Sequence, residues 1–181
     1  EGGAIYINGG TVSITNSTMS SNISSREGGA LFIGDGAVTI TNSTMSSNSS
    51  GREGGGVFAD GGSLSITLST LRNNTAGREG GGINTAVTTN ITNSTITGNT
   101  VTGANRDGGG LWADADTTVI NSTFSENTTT RNGGNVFREG GTVRFRNTIL
   151  NAGSPANCSG TITNTGTNID SGNTCFTATN G

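Results

Sequence analysis

Of the chain's 181 residues, 29% are hydrophobic and 32 are glycine. That composition excludes a broad globular core but leaves room for a thin core running along a stack. Nine cations, all of them Arg, face twelve Asp and Glu, and the net charge of -3 offers no attraction for nucleic acid or an anionic membrane. The sequence has no His, hence no imidazole base or ligand, and no apolar run long enough to span a bilayer.

Six units open on a glycine pair, at Glu1-Gly2-Gly3, Glu27-Gly28-Gly29, Glu53-Gly54-Gly55, Glu79-Gly80-Gly81, Asp107-Gly108-Gly109 and Asn132-Gly133-Gly134, spaced by 26, 26, 26, 28 and 25 residues. A sustained period of this size marks a stacked architecture in which each unit buries its apolar face against its neighbours. The first unit begins in mid-motif, because the Arg that precedes the motif at Arg26, Arg52 and Arg78 has no counterpart before Glu1. An uncapped first coil with a free strand edge is therefore expected there.

Each unit contains three stretches of period-two alternation, the pattern of strands with one buried face. The first carries Ile5, Leu31, Val57, Ile83, Leu111 and Val136 at one position. The second carries the pairs Val12/Ile14, Val38/Ile40, Leu64/Ile66, Thr89/Ile91, Thr117/Val119 and Val143/Phe145. The third carries Met19, Met45, Leu71, Ile96, Phe124 and Ile149. No stretch has helical periodicity. The predicted fold is all-β: a right-handed parallel β-helix, or β-solenoid, of about six coils over residues 1–151. The hand is the one that crossovers between parallel strands adopt in about 98% of cases.

The corners repeat as well. Asn16, Asn42, Asn93, Asn121 and Asn147 share one corner, with Leu68 as the exception, and Asn22, Asn48, Asn74, Asn99 and Asn127 share the next. Asn tolerates left-handed backbone and bonds neighbouring main chain, so both rows predict structural ladders. From residue 152 to 181 the period is lost, and Pro155, Cys158 and Cys175 appear. A Cys158–Cys175 disulfide closing this end is expected, against the alternative of two free buried thiols. Such a bond would place the protein outside the cytosol.

The openings Gly-Gly-Ala-Ile-Tyr (2–6) and Gly-Gly-Ala-Leu-Phe (28–32), and the run Val-Thr-Ile-Thr-Asn-Ser-Thr-Met-Ser-Ser-Asn (38–48), are similar to secreted bacterial right-handed β-helix repeat proteins. That group includes surface proteins of the CSLREA and choice-of-anchor types and, more distantly, polymorphic outer-membrane protein repeats. The segments Asn147–Leu150, Asn157-Cys158 and Cys175-Phe176 resemble its coil-ending region. The resemblance implies a surface or adhesive protein and is carried by structural positions; neither the leader motif nor an anchor is present in this sequence.

Beside the first-strand aliphatics lie Tyr6, Phe32, Phe58, Asn84, Trp112 and Phe137. Alternation points them outward as an aromatic column, a surface for sugar rings or a neighbouring rod; a bend beside the glycines would instead turn them into the core. Hydroxyl rows such as Thr18, Thr44, Thr70, Thr95, Thr123 and Thr148 resemble the flat faces of ice-binding solenoids, and Thr is also an ordinary strand residue. The neighbours Arg26/Glu27, Arg52/Glu53, Arg78/Glu79 and Arg106/Asp107 are expected to form two mutually neutralising columns. The acids Asp35, Asp60, Asp114 and Asp116 are the candidates for a polysaccharide lyase or hydrolase, and turn chemistry is their competing role.

The function read from this pattern is a non-enzymatic structural or adhesive solenoid, extracellular or on a cell surface. It would associate end to end into a filament, or laterally, without cofactor, metal, nucleic acid or membrane insertion. The alternatives are a glycan-binding module using the aromatic column, an ice-binding solenoid and a polysaccharide-degrading enzyme.

Overall fold

A computed structural model describes residues 1–176, and the last five positions of the C-terminal segment 152–181 lie outside the described residues. Among the described residues the chain is all-β, with parallel coils stacked one repeat apart and no helix. Strand partners sit one repeat away, with Tyr6 opposite Phe32, Phe32 opposite Phe58, Asn84 between Phe58 and Trp112, and Trp112 opposite Phe137; the register slips only around Asn8, between the two halves of the first long strand.

The first and second stretches belong to one twelve-stranded sheet. In the first two coils they fuse into the long strands Ile5–Thr15 and Leu31–Thr41, and from the third coil they separate. The third stretches form a seven-stranded sheet. A further, four-stranded sheet was not expected: Ile23–Ser24, Ser49–Ser50, Thr75–Ala76 and Thr100–Val101 pair just before the glycines. Two-residue strands are too short to show alternation, which is why sequence periodicity misses them.

The core is a narrow column. Leu31, Ile33, Ile40, Met45, Val57, Ile66, Leu71, Ile83, Ile91 and Ile96 are fully enclosed, one set per turn. The third-strand register in the last coil differs from the sequence expectation. Leu150, fully enclosed, stands opposite Phe124, whereas Ile149 is 42% exposed and pairs with Thr123. The corner Asn sets this register, since the buried residue always follows it by three places: Asn16 to Met19, Asn121 to Phe124, Asn147 to Leu150. Thr148 accordingly leaves the expected outer Thr row and is buried at 1% exposure.

The glycine pair has two separate causes. Its first member adopts positive φ, 64° at Gly28 and 65° at Gly54, which costs other residues strain. Its second member touches the next coil: a Cβ on Gly29 would lie 2.0 Å from the carbonyl oxygen of Gly55.

Two polar ladders seal the corners. Asn22 Nδ2 donates to Asn48 Oδ1 at 2.9 Å, and the same bond recurs from Asn48 to Asn74, Asn74 to Asn99 and Asn99 to Asn127. It continues to Asn135 and Asn157 and ends on the carboxylate of Asp170. A carboxylate accepts and cannot donate, so it terminates a row of amides that all point the same way. Parallel to this runs a serine ladder: the backbone N–H of Ser17, Ser43, Ser69 and Ser94 each donates to the Oγ of the next coil's Ser, at 3.1 Å.

Residues 152–176 do not leave the stack, although their sequence period is lost. Cys158–Ser159, Ile162–Asn164 and Ile169–Asp170 pair in parallel with the sixth coil as a shortened further turn. Cys158 and Cys175 form a disulfide, and Phe176 meets Phe145 edge-on.

Candidate contact face and cleft

The first-strand residues define one outer face. The enclosed Leu31 and Ile33 flank Phe32, and the enclosed Val57 and Ala59 flank Phe58, so alternation sends the rings outward. Tyr6 is 52% exposed, and Phe32, Phe58, Trp112 and Phe137 are half-buried. Parallel register places the rings over one another. Tyr6 stacks on Phe32 with centroids 5.0 Å apart and planes within 7°, and Phe32 on Phe58 at 5.3 Å. Stacked faces of this kind leave the outer ring edges free to bear on a partner.

The column breaks at the fourth coil, where Asn84 takes the aromatic position. Two steps along its strand, Ala86 stands where the neighbouring coils have Asp60 and Asp114, all three N–H groups donating back to the preceding coil. Two small residues in one coil leave a cleft of about 370 Å³ between Phe58 and Trp112, floored by Asn84 and Ala86. Parallel coils are ~4.8 Å apart, so the two aromatic positions are separated by about 10 Å, the space of one absent ring. Glu27, Glu53 and Glu79 line one side of the cleft, and Asp60 and Asp114 the other.

The charges on these two sides differ in their partners. Each Glu is held by the Arg of the following coil: Glu27 by Arg52 at 2.8 Å, Glu53 by Arg78 at 3.4 Å, Glu79 by Arg106 at 2.9 Å. The pairs therefore run mainly between coils, not between sequence neighbours as expected; Arg26 alone reaches both Glu1 and the adjacent Glu27. Each Arg stacks on the Arg of the coil before it, which puts it one residue to the side of the preceding acid. In the fifth coil Asp107, 2% exposed, binds Arg131, and its hydrogen bond and charge push that guanidinium above its ordinary pKa.

The four loop acids do not act alike. Asp35 accepts from the N–H of the adjacent Gly36, the turn role, whereas Asp116 ties its coil to the next by accepting from the N–H of Thr142 and lying 3.9 Å from Arg144. Asp60 and Asp114 are exposed, face the cleft and have no ion pair or side-chain hydrogen bond among the described residues. No cluster of three or more metal-ligating side chains occurs among the described residues. The corner Asn rows are scaffold: Asn16, Asn42, Asn93, Asn121 and Asn147 all take φ near 50°. Sequence reasoning missed the cleft and the serine ladder. The signals were present, as the lone Asn in an aromatic column and as a Ser after nearly every corner.

The fold defines the class of protein, a parallel β-solenoid. No family model matches the chain, and no match was found among the curated proteins or the solved structures.

Proposed function

We propose that this solenoid is a non-catalytic adhesive module that works outside the cytosol and holds its partner on the aromatic face. The observation that carries the reading is the column of rings from Tyr6 to Phe58, continued past the cleft by Trp112 and Phe137, on an outer wall with no covering segment among the described residues. Contiguous exposed apolar surface of this kind marks contact sites. Adhesion also agrees with the resemblance to surface β-helix repeat proteins, and the Cys158–Cys175 disulfide supports an oxidising location.

Binding is favoured over chemistry by the state of the acids. Asp60 and Asp114 are both exposed and have no side-chain hydrogen-bond partner among the described residues. A neutral glycan is the second reading, favoured by the flat stack of Tyr6 on Phe32, against which a sugar ring can lie. Replacing both Phe58 and Trp112 by Ala tests the reading. Attachment of purified protein to cells or to immobilised glycans should fall about tenfold or more, since aromatic anchors dominate such contacts, while the melting temperature changes little. Attachment equal to that of the unaltered protein contradicts the proposal.

A further inference from the structure

We infer that the fourth-coil cleft is a slot for a single organic cation, a guanidinium or alkylammonium group such as a basic side chain of a protein partner presents. This rests on the aromatic face being the contact surface and names what its most differentiated point recognises. Three observations converge. The walls are Phe58 and Trp112, whose ring faces attract cations. Beside them stand Asp60 and Asp114, carboxylates that no Arg neutralises, unlike Glu53 and Glu79 across the cleft.

The floor is the most telling of the three. Asn84 is only 3% exposed, yet its side-chain amide makes no hydrogen bond to a described residue. No described side-chain N or O is both sealed from solvent and unbonded, so that amide meets the outside only through the cleft it lines. An amide reached only through the cleft exchanges its bonds with water for bonds with any occupant that offers a matching group. Its carbonyl oxygen fits an N–H donor, and Asp60 and Asp114, the charged groups facing the slot without a partner, are acceptors too. The same inventory opposes an anionic occupant: Glu27, Glu53 and Glu79 are each paired with an Arg, and Asp60 and Asp114 remain as uncompensated negative charge.

The experiment uses Trp112, the chain's single tryptophan, whose fluorescence reads the slot directly. Nα-acetyl-arginine amide and tetramethylammonium are titrated against the whole chain, with methyl glucoside as the neutral probe and sodium acetate as the anionic one. The cations should give saturable changes that weaken as salt rises, with no response to the other two. Asn84→Phe restores the ring found at Phe32 and Phe58 and should abolish the response in a protein that still melts normally. Asp60→Asn with Asp114→Asn, both on the surface, should weaken it about tenfold or more. A silent unaltered protein, an equal response to methyl glucoside, or undiminished binding in the Asn84→Phe protein overturns the assignment. Asn84→Phe leaves all five aromatic residues in place, so a silent slot is distinguishable from loss of adhesion by the Phe58→Ala/Trp112→Ala protein, which bears on the wider reading.

Discussion

At the scale of single residues, the corners decide the fold. Leu68 is the one corner residue of its row that is not Asn; it holds φ at 52° and leaves 57% of its surface in water. Left-handed backbone costs an ordinary residue roughly 1–2 kcal/mol. Leu68→Asn should therefore stabilise the protein by about 1 kcal/mol, raising the melting temperature by about 2–4 °C; an unchanged or lower value contradicts the role given to this corner. The inner row is worth more per residue. Asn74, fully buried, receives the backbone and side-chain N–H groups of Asn48 and donates to Met45 O and Asn99 Oδ1. Asn74→Ala strands those partners and should cost about 3 kcal/mol or more in denaturant unfolding, against about 1 kcal/mol for Asn22→Ala at the half-exposed end of the row. Equal losses would show that the ladder is not a buried network. Both rows were legible in the sequence because they repeat. The amide of Asn84 was not, because its significance lies in lacking a partner, which only coordinates reveal.

At the scale of elements, stacking explains what periodicity reveals and what it hides. Strands with buried alternate positions announce themselves, and the second-strand pairs fall in the register that their spacing predicts. Leu150 rather than Ile149 is enclosed because the buried position lies three residues after the corner Asn147. The final turn was hidden more deeply, because Ile162 is an ordinary core residue on a strand whose spacing no longer repeats. Its polar anchor is Asp170. Partial burial pushes that carboxyl up, but the N–H groups of Cys175 and Gly172 and the amide of Asn157, with a further bond from Thr174, outweigh it and hold the pKa below the ordinary carboxylate value. A depressed folded-state pKa contributes stability that is fully present above the unfolded value and is lost as pH falls through the folded one. Unfolding followed from neutral to strongly acidic pH should show this loss, and Asp170→Asn should be less stable at neutral pH with a flatter acid limb. An unaltered acid limb in that variant contradicts the anchoring role.

At the scale of the whole molecule, a thin core leaves the outer walls free for contact. Inside, side chains repeat because each must fit the coil above and below; outside, nothing forces repetition, so a departure carries information. The fourth coil departs at Asn84 and Ala86 within the face that otherwise carries rings, and that is where the cleft lies. The hydroxyl rows and the coil ends compete with this face as contact surfaces. Hydrogen-exchange mapping with and without bound target cells or their surface extracts separates them. Protection concentrated on Ile5–Ile7, Leu31–Ile33, Val57–Ala59, Ile83–Thr85, Leu111–Ala113 and Val136–Arg138 is the predicted result. Protection confined to the Thr-bearing third strands, or to the first and last turns, would contradict the account.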